Sequence, residues 1–584
     1  MTVIDNIFEK IVSKEIDEKE AIQSFKNLQE FEQKELISKL RYQLSTGNKK
    51  DYTIKKTLTP LDQRDLSDKQ REFIKKLALD YENFVPKSKN NVIEHQSYFV
   101  DQRRAFHLIK EIKELHFQIT YENAEGAYVY DIDGNKYIDI SGDMGVNIFG
   151  HKPKFILDAV KKAMDQGIPL AGYSNAIFET TKLFSEITGH ERVLFTQSGT
   201  ESVMVAVRIA RAATQKKKIV LFEGAYHGLS DAVMAIKDQG GNSFAAGPGM
   251  LQEFAEQILV LDYGDKNALD IIEDHIDELA GILVEPVQSR FIYNKPIEFL
   301  KELRKLTLEK GIPLIFDEMI TGFRVSPKGA QGIFNIKPDL ATYGKIVGGG
   351  LPTGVIAGSA KYMDLIDGGM WNFNDDSMPK SKRTSMGGTH SQNPLKIASC
   401  HAVLSEIKRK LSKDQECNND NCKCFLCELN DKTKHMVEEL KAFFLENRLP
   451  ITIDYFGSLF RFRYLDSFWG VTEALMFILM RMNGIETNIQ GNCFLTTSHT
   501  NNDIKKIIEG VKDSLKTLIK EGFFYEKKEE RKEIIEEKKV HELAFKKNES
   551  VTTQKKVDKK INDEQMAKLK ELIVSDLIKE QELY

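Results

Sequence analysis

Cysteines are few in this sequence, which has six of them among 584 residues. A chain of this length with so few thiols is not a disulfide scaffold. Long apolar runs are also missing, because the most apolar extended stretch, "GVTEALMFILMRMNGI", is too short and too charged at its edges to cross a bilayer. The opening residues, "MTVIDNIFEKIVSKEIDEKE", carry charge from the start and do not resemble a secretory signal. These absences predict a soluble cytoplasmic protein without a membrane partner.

An excess of charge of either sign is missing as well. Lysine and arginine together number 83, and aspartate and glutamate number 87, which leaves a net charge of −4. The sequence has no basic stripe interleaved with aromatic residues, so we expect no nucleic-acid partner. It also has no internal repeat. The length indicates two or three domains with a sizeable hydrophobic core.

The residue patterns that are present divide the chain into successive parts. Apolar residues recur at helical spacing through the first 55 residues. A second helix is predicted to open at Ser67, where Gln70 completes a capping box, and "YVYDIDGNKYIDI" (128–140) is typical of a hairpin. The predicted parts are an N-terminal helical segment and candidate docking element at 1–55, the N-terminal part of a small domain at 56–150, a large domain at 151–394, a C-terminal small domain at 395–525 with a cysteine-rich insertion at 414–430, and a charged tail with a terminal helix at 526–584.

Helices alternate with short, β-rich apolar runs from about residue 155 onward. The runs are "RVLFTQ", "KKIVLFEG", "GILVEPV" and "IPLIFDE". This alternation predicts an α/β fold with a mainly parallel sheet buried on both faces. A smaller α+β region follows, with predicted strands at "GSLFRFRY" (457–464) and "NCFLTTSH" (492–499). Because ligands bind beyond the carboxyl ends of the strands in an open α/β sheet, the residues after each run are candidates for chemistry.

Two of the runs end at small or aromatic polar residues. Ser198, Gly199 and Thr200 stand between a strand and a helix. Free backbone amides, hydroxyls and the helix dipole favour a phosphate there, and an ordinary helix N-cap is the alternative. Tyr226 and His227 lie between two glycines after the next run. A tyrosine ring in that position can lie flat on a planar ligand, or it can be an ordinary half-buried side chain.

The remaining candidates carry charge or an amide group. Glu285 and Gln288 follow "GILV" and are placed either to hydrogen-bond a ring substituent or to begin a helix. Asp317 ends a buried apolar run and needs a cationic partner, for which a protonated pyridine nitrogen and an arginine are both candidates. Lys345 stands between an apolar run and three consecutive glycines in "DLATYGKIVGGGLP".

These residues together match the requirements of pyridoxal 5'-phosphate. A lysine amine forms a Schiff base with the aldehyde of this cofactor. A carboxylate such as that of Asp317 keeps the ring nitrogen protonated, so that the ring can accept electrons. The glycines after Lys345 let the backbone pass close to the cofactor. Burial near a cationic group also predicts a lowered pKa for Lys345, which helps the amine to act as a base and nucleophile.

The stretches "FDEMITGFR" and "GAQGIFNIKPDLATYGKIVGGGLPTG" resemble the class III (fold type I) pyridoxal-phosphate-dependent aminotransferases. The glutamate-1-semialdehyde aminomutase-like branch is the nearest, over roughly residues 95–525. The resemblance implies catalytic roles for Lys345 as the Schiff-base lysine, Asp317 as the partner of the ring nitrogen, and Tyr226 as the stacking residue. Its "GGTHSQNPL" stretch implies a homodimer in which a threonine reaches the phosphate of the neighbouring subunit. The cofactor-binding set is Ser198, Gly199, Thr200, Tyr226, His227, Glu285, Gln288, Asp317, Lys345 and Thr389.

A narrower likeness concerns the acceptor. The stretches "LTPLDQRDLSDKQREFIKKLALDYENFVPKSKNN", "GDMGVNIFGH" and "FGSLFRFRY" with "CFLTTSHT" are similar to aminotransferase domains of mixed polyketide/nonribosomal peptide synthases. Those domains convert a β-keto acyl thioester on a carrier protein into a β-amino one. The likeness implies an amino-acid donor and an acyl carrier protein or synthase as partners. Arg461 or Arg463 is a candidate for holding the donor carboxylate, with a salt bridge along the strand as the alternative.

Two other hypotheses remain open. In the first, the chain is an aminomutase that moves an amino group within one substrate. In the second, it is a non-catalytic scaffold that kept the fold and uses its helical ends to organise a complex. An aminomutase needs no external donor, so a donor requirement separates it from a transaminase. The intact Lys345 and Asp317 argue against a scaffold.

A cysteine cluster and the charged tail fall outside this chemistry. The stretch "CNNDNCKCFLC" contains Cys417, Cys422, Cys424 and Cys427. Four close thiols are a candidate zinc site, but only the last two form a CxxC pair and no second pair lies at the usual distance. We therefore predict no metal and reduced loop cysteines. The tail is predicted to be a solvated linker that ends in the amphipathic stretch "EQMAKLKELIVSDLIKEQ", which is also a candidate partner-binding helix.

Overall fold

A computed structural model describes residues 66–238, 240–411, 424–464, 469–487 and 491–524, together with Ser24, which is helical. The predictions for the N-terminal helical segment, the charged tail, and Cys417 and Cys422 lie outside the described residues. The chain divides into two compact units, the larger formed by residues 57–236 and 243–524 and the smaller by 1–56, 237–242 and 525–584. In the smaller unit, the amide of Asp238 donates to the carbonyl of Asn242. Among the described helices, none combines the length and apolar character that a bilayer-spanning segment requires.

The helices and strands alternate through the middle of the chain. The helices are α1 (Asp68–Phe84), α2 (Pro86–His95), α3 (Gly142–Gly145), α4 (Lys154–Asp165), α5 (Asn175–Thr188), α6 (Gly199–Thr214), α7 (Gln252–Ala255), α8 (Asn267–Asp274), α9 (Ile297–Lys310), α10 (Ala330–Phe334), α11 (Ala360–Asp367), α12 (Pro394–Lys410), α13 (Phe425–Glu446), α14 (Trp469–Met482) and α15 (Asn501–Lys520). Short 3-10 helices span Lys110–Leu115, Asp231–Val233 and Lys345–Gly348. The strands are β1 (Tyr121–Glu125), β2 (Tyr128–Asp131), β3 (Lys136–Asp139), β4 (Arg192–Thr196), β5 (Lys218–Phe222), β6 (Ala235–Lys237), β7 (Ser243–Ala245), β8 (Ile258–Leu261), β9 (Leu279–Val284), β10 (Leu314–Asp317), β11 (Leu340–Gly344), β12 (Gly354–Gly358), β13 (Ile451–Phe456), β14 (Leu459–Tyr464), β15 (Ile485–Glu486) and β16 (Asn492–Phe494).

The largest sheet carries seven strands in the order β4-β12-β11-β10-β9-β5-β8. From β11 to β8 each neighbouring pair is parallel, whereas β12 runs antiparallel to both β11 and β4. The four runs that predicted strands are all in this sheet, and the prediction of a mainly parallel sheet is confirmed. The sequence patterns did not predict β12, because its glycine at either end weakens the apolar run.

Helices cover both faces of this sheet. Ile315 and Leu340 pack in one apolar cluster with Val203 of α6. The next residue along each strand, Phe316 or Ala341, packs in the other cluster. Because successive side chains of a strand point to opposite faces, apolar residues at both positions require both faces to be covered. This is the doubly covered α/β architecture that the alternating pattern predicted.

The N-terminal elements follow the predicted local signals. The Ser67 hydroxyl accepts a hydrogen bond from the Gln70 amide, and the Gln70 side chain accepts one from the Ser67 amide, so the capping box is confirmed. Strands β2 and β3 form the predicted antiparallel hairpin. Strand β3 also pairs with β15, which places Asp139 opposite Glu486 and joins the N-terminal part to the C-terminal part.

A three-stranded antiparallel sheet, in the order β13-β14-β16, forms part of the C-terminal region. Both predicted strands of this region are present, but the second ends at Phe494 rather than continuing to His499. Beyond that point, the amide of Thr496 donates to Nδ1 of His499 at 3.0 Å. This local bond forms a turn before α15 and replaces further pairing along the strand.

Candidate active site

The candidate residues follow neighbouring strands of the large sheet. Because β11, β10, β9 and β5 are parallel neighbours, their carboxyl ends lie at one edge. Asp317 is the last residue of β10, Lys345 and Glu285 directly follow β11 and β9, and the loop that carries Tyr226 follows β5. Ser198 follows β4, which β12 separates from β11. The tertiary structure therefore brings to one edge residues that are up to 147 positions apart.

Asp317 is held from several sides. Its Oδ2 lies 2.8 Å from Nδ1 of His227, and its Oδ1 accepts hydrogen bonds from the Thr342 hydroxyl at 3.2 Å and the Met319 amide at 3.1 Å. Both members of the His227–Asp317 pair are almost fully buried, with side chains 2% and 3% exposed. The register of the sheet explains the threonine contact, because Asp317 lies opposite Thr342 on β11. The carboxylate is therefore fixed in orientation before any ligand arrives.

Lys345 begins the 3-10 helix that follows β11, in a left-handed backbone conformation with φ of 45°. This conformation is strained for a residue with a side chain, and such strain concentrates at functional sites. Burial lowers the pKa of Lys345, while the nearby carboxylates of Asp317 and Glu285 partly oppose that effect. The lowered pKa agrees with the expectation from sequence and raises the fraction of neutral amine.

Tyr226 lies in a loop held by two buried side chains. The carboxylate of Glu285 accepts the amide hydrogens of Tyr226 at 3.4 Å and of Ser289 at 2.8 Å. The Gln288 amide group donates to the carbonyl of Glu223 at 2.8 Å. Tyr226 as a whole residue is 48% exposed, so its aromatic side chain is accessible to a planar ligand. In this structure, Glu285 and Gln288 support the loop that presents the ring.

The turn after β4 has the features of an anion site. Ser198 is the N-cap of α6, and its hydroxyl accepts the Glu201 amide hydrogen at 3.2 Å. The hydroxyl oxygen of Thr200 accepts the Leu229 amide hydrogen at 3.3 Å, which leaves the hydroxyl hydrogen able to donate to an anion. The first amides of α6 have no acceptor within the helix. The N-cap and the phosphate hypotheses are therefore compatible.

A close approach of backbone to side chain explains one glycine here. A Cβ at Gly199 would lie 2.7 Å from Cε and 2.8 Å from Sδ of Met319. A side chain at Gly199 would therefore force the thioether end of Met319, the residue that follows Glu318, to move. Through this contact the anion site after β4 lies close to the segment after β10, although β12 and β11 separate the two strands in the sheet.

Two buried charged residues beside the site were not singled out from the sequence. Glu318 accepts hydrogen bonds from the Thr321 hydroxyl and from the amides of Ala330 at 2.9 Å and Gln331 at 2.7 Å. Burial raises the pKa of Glu318 to about 7. It caps the first turn of α10, so its role here is structural. Its place next to Asp317 in "FDE" was the only sequence signal.

Arg324 is the second such residue, and its side chain is completely buried. Its guanidinium donates to the Ser458 hydroxyl at 2.9 Å, to the Gly145 carbonyl at 2.7 Å and to the Leu495 carbonyl at 3.5 Å. Burial lowers the pKa of Arg324 to about 9. The residue links the segment after β10 to the N-terminal and C-terminal parts of the chain.

The other predicted residues are exposed or make ordinary contacts. Thr389 is exposed in the segment before α12. Arg463 donates to Asp454 at 2.9 Å and lies 4.4 Å from the Tyr293 ring centroid, so for this arginine the strand salt bridge is present. The Sγ atoms of Cys424 and Cys427 lie 3.6 Å apart at the start of α13. The prediction that this cluster holds no metal stays a prediction.

The residues at the sheet edge fit pyridoxal 5'-phosphate. The edge supplies an amine with a lowered pKa, an oriented buried carboxylate, an exposed aromatic face and a helix N-terminus with a free hydroxyl hydrogen. The Nε2 atom of His227 is buried without a hydrogen-bond partner among the described residues. An unpartnered polar atom beside Asp317 is consistent with a site that a polar ligand completes.

Comparisons with known proteins place the chain in a family. It matches the family described as "Aminotransferase class-III" over residues 109–442. It is 34% identical over 415 residues to the glutamate-1-semialdehyde 2,1-aminomutase of Methanosphaera stadtmanae, which covers 68% of this chain and 92% of that protein. Among solved structures it resembles a transaminase with PLP bound, with 25% identity, a TM-score of 0.65, and coverage of 75% of this chain and 99% of that one. Its fold also resembles a glutamate-1-semialdehyde aminomutase from Pseudomonas aeruginosa PAO1, with 19% identity, a TM-score of 0.65, and coverage of 79% and 100%.

The chain belongs to the class-III aminotransferase family and is a pyridoxal-phosphate-dependent enzyme of fold type I. The predictions of fold class, enzyme class and cofactor are thereby confirmed. The relationship to glutamate-1-semialdehyde aminomutases is confirmed as well. The relationship to domains of polyketide/nonribosomal peptide synthases stays a prediction. Enzymes of this family are typically dimeric.

Proposed function

We propose that this enzyme takes an amino group from an amino-acid donor and delivers it to the ketone of a β-keto acyl thioester on a carrier protein. The observation that supports amino transfer is the pair of adjacent strand ends carrying Lys345 and Asp317. The amine of Lys345 has a lowered pKa, and Asp317 is oriented by His227. An amine that acts as a base and a fixed carboxylate are the two groups that transamination requires of the protein.

Each residue has a distinct part in this proposal. Pyridoxal 5'-phosphate supplies an electron-accepting ring that stabilises negative charge at the α-carbon of the donor. Asp317, oriented by His227, holds the proton on the ring nitrogen. Lys345 takes the proton from the donor α-carbon and returns one during delivery to the acceptor. Thr200 and the start of α6 bind the phosphate, and Tyr226 covers one face of the ring.

A homodimer with shared active sites is part of the proposal. Thr389 is exposed in this single chain, next to Gly388, whose added Cβ would lie 3.2 Å from Nε2 of Gln197. The segment that carries Thr389 thus lies close to the anion site after β4, and its threonine hydroxyl is accessible. We propose that Thr389 completes the phosphate site of the neighbouring subunit.

The contacts of Arg324 support the assembly-line acceptor. The three stretches that resemble synthase domains, "GDMGVNIFGH", "FGSLFRFRY" and "CFLTTSHT", are far apart in sequence. Arg324 donates to one residue of each, namely Gly145, Ser458 and Leu495. The similar stretches therefore form one contiguous region that is tied to the segment following Asp317. This arrangement supports a shared acceptor chemistry rather than three unrelated coincidences of sequence.

An aminomutase acting on glutamate 1-semialdehyde is the second candidate. It is favoured by the 34% identity to the Methanosphaera stadtmanae enzyme of that name, which the alignment covers to 92%. Such an enzyme moves the amino group within one substrate and needs no external donor. The family membership leaves no role for a non-catalytic scaffold as the main function.

The test offers both substrates to the same holoenzyme. Carrier proteins loaded with β-keto acyl groups are incubated with enzyme and L-glutamate, and their intact masses are measured, while glutamate 1-semialdehyde is supplied in parallel without a donor. Donor-dependent conversion of the loaded carrier supports the proposal. Turnover of the semialdehyde alone establishes the aminomutase instead. Lys345→Ala abolishes both activities and the covalent adduct that borohydride reduction traps, whereas Lys305→Ala, at an exposed position on α9, retains them.

A further inference from the structure

Two cysteines, Cys424 and Cys427, lie in contact at the start of α13. Their Sγ atoms are 3.6 Å apart, and the Cys424 thiol donates a hydrogen bond to the Cys427 sulfur. A disulfide bond is about 2 Å long, so the pair is a dithiol in this structure. A small rotation of the side chains is nevertheless sufficient to bring the two sulfur atoms to bonding distance. The amino-transfer chemistry proposed above uses neither residue.

The first turns of α13 are anchored on the core around this pair. The Phe425 ring stacks on Phe149 with a centroid separation of 5.7 Å, and Leu426 is completely buried. Farther along the helix, the side chain of Asn430 donates to the carbonyl of Val325 at 3.3 Å. Because the backbone is held in place, the two thiols stay close together. Little conformational freedom is therefore lost when a bond forms between them.

Exchange between thiols and disulfides proceeds through a thiolate, and the position of the pair favours one. Cys424 is the N-cap of α13, and Cys427 lies in its first turn. The first amides of a helix have no acceptor within it, and together with the helix dipole they stabilise a negatively charged sulfur. A positive charge is also near, because the amine of Lys410 lies 5.8 Å from the centroid of the Phe425 ring. Glu428 in the same turn is exposed, so solvent screens its charge.

The two thiols differ in their exposure to solvent. Cys424 is buried, whereas Cys427 is half-buried and can be reached by a small reagent. Cys427 is thus the thiol that an external disulfide meets first, and Cys424 is the thiol behind it. Cys400 and Cys493 are completely buried, and burial raises the pKa of each to about 12. These two thiols are poor nucleophiles and serve as internal controls.

We propose that Cys424 and Cys427 are a thiol-modification site, at which exchange with a small-molecule disulfide of the glutathione type forms a reversible disulfide. First, the Cys427 thiolate attacks one sulfur of the external disulfide, which forms a mixed disulfide and releases one thiol. The Cys424 thiolate then attacks the Cys427 sulfur, and the second thiol leaves. The protein dithiol loses two electrons, the external disulfide is reduced to two thiols, and the two protons of the protein thiols end on these products. This inference is independent of the proposed amino-transfer function.

The test equilibrates the full-length holoenzyme in buffers with defined ratios of reduced glutathione to glutathione disulfide. Remaining thiols are then alkylated, and peptide masses identify the cysteines that are joined. Wild type is compared with the double variant Cys417→Ser and Cys422→Ser, which removes the other cysteines of "CNNDNCKCFLC". In both proteins we expect the tryptic peptide 424–432 to escape alkylation and to lose two hydrogen atoms, about 2 Da, as the disulfide fraction of the buffer rises. Reduction is expected to restore both thiols.

Single variants separate the roles of the two thiols. Cys424→Ser is expected to stop at the mixed disulfide, so that glutathione stays attached to Cys427. In Cys427→Ser, the buried Cys424 is expected to take up glutathione about 10-fold more slowly than Cys427 does in Cys424→Ser. Cys400 and Cys493 are expected to remain thiols throughout. A pair that stays a dithiol at every buffer ratio overturns the inference, as does equal oxidation of Cys400 or Cys493.

Zinc binding is the competing use of these thiols. The metal content of the purified wild-type chain is measured together with the rate at which each cysteine is alkylated. We expect no stoichiometric zinc and faster alkylation of Cys427 than of Cys400. Stoichiometric zinc that protects the pair from glutathione disulfide overturns the inference. A wild-type disulfide that joins Cys427 to Cys417 or Cys422 instead of to Cys424 overturns it as well.

Discussion

His227 and Asp317 form a buried pair in which Nδ1 of the imidazole lies 2.8 Å from Oδ2 of the carboxylate. His227 lies in the loop after β5 and Asp317 is the last residue of β10, and β9 separates these two strands in the sheet. The imidazole is one of three groups that orient this carboxylate, together with the Thr342 hydroxyl and the Met319 amide. The orientation of the Asp317 carboxylate therefore depends in part on the loop that also carries Tyr226.

Removing the imidazole is expected to weaken cofactor binding. His227→Leu leaves the buried carboxylate of Asp317 without this hydrogen-bond partner, so the carboxylate is held less firmly in place for the cofactor. We expect the Kd for pyridoxal 5'-phosphate to rise about 10- to 100-fold. His227→Asn, which can place a donor near the former Nδ1 position, is expected to lose less. Absorbance titration of the apoenzyme measures both, and wild-type affinity in His227→Leu would contradict the assigned role.

Glu318 is expected to stabilise the fold rather than to act in catalysis. Glu318→Ala removes the acceptor of the Thr321 hydroxyl and of the Ala330 and Gln331 amides. Buried donors left without an acceptor lower the free energy of unfolding by about 3 kcal/mol. Denaturant unfolding measures the change. A variant as stable as wild type would show that water or another side chain takes over these donors.

Gly329 packs against the Glu318 carboxylate, so a substitution of this glycine is a second test of the packing around Glu318. Its φ is 79°, and a Cβ there would collide with the carboxylate of Glu318. Gly167 has a similar φ of 85°, but a Cβ there would meet nothing within 4 Å. We expect Gly167→Ala to cost about 1–2 kcal/mol from backbone strain alone, and Gly329→Ala to cost clearly more. Equal losses in the two variants would mean that the space around Glu318 is not tightly packed.

The ionisation of Lys396 is expected to make the free energy of unfolding depend on pH in the alkaline range. Its amine donates to the Thr196 carbonyl at 2.7 Å, and burial lowers its pKa from 10.5 to about 8. Between these values the unfolded chain binds more protons than the folded one, so the free energy of unfolding rises with pH. This contribution is complete above the unfolded pKa and is lost as the pH falls through about 8.

The measurement is Tm from pH 7 to about 10.5, the usual pKa of lysine. Lys396→Met is expected to remove this rising contribution, so that its Tm curve loses slope relative to wild type. Lys305→Met, at an exposed position on α9, serves as the control and keeps the wild-type slope. Parallel curves for wild type and Lys396→Met would show that Lys396 ionises as an ordinary lysine.

A buried ion pair joins α14 to β15, and a hydrogen bond from its arginine reaches α1. Arg481 donates to both carboxylate oxygens of Glu486, at 2.6 and 2.8 Å, and to the Tyr81 hydroxyl at 2.6 Å. Arg481→Met leaves the carboxylate of Glu486 buried and unpaired, and we expect a loss of about 3–5 kcal/mol. Arg481→Met combined with Glu486→Leu is expected to recover a large part of that loss. A double-mutant cycle by denaturant unfolding measures the coupling, and additive losses would exclude it.

Local signals in the sequence were sufficient to predict several structural elements. The Ser67 capping box, the hairpin of β2 and β3, and the buried strands of the large sheet follow from residues that are neighbours in the chain. The residues at the strand ends could be named because a parallel sheet collects its carboxyl ends at one edge. Strand β12 was not predicted, because its glycines weaken the apolar pattern. The limits of the domains and the roles of the individual site residues remain predictions.

The sequence by itself determined the fold class, the cofactor and the family, because periodicity and short motifs depend on residues close together in the chain. Only the tertiary structure paired His227 with Asp317 and placed Arg290 beside Tyr226. These contacts join distant segments, and their strength depends on burial and on charges that no local pattern contains.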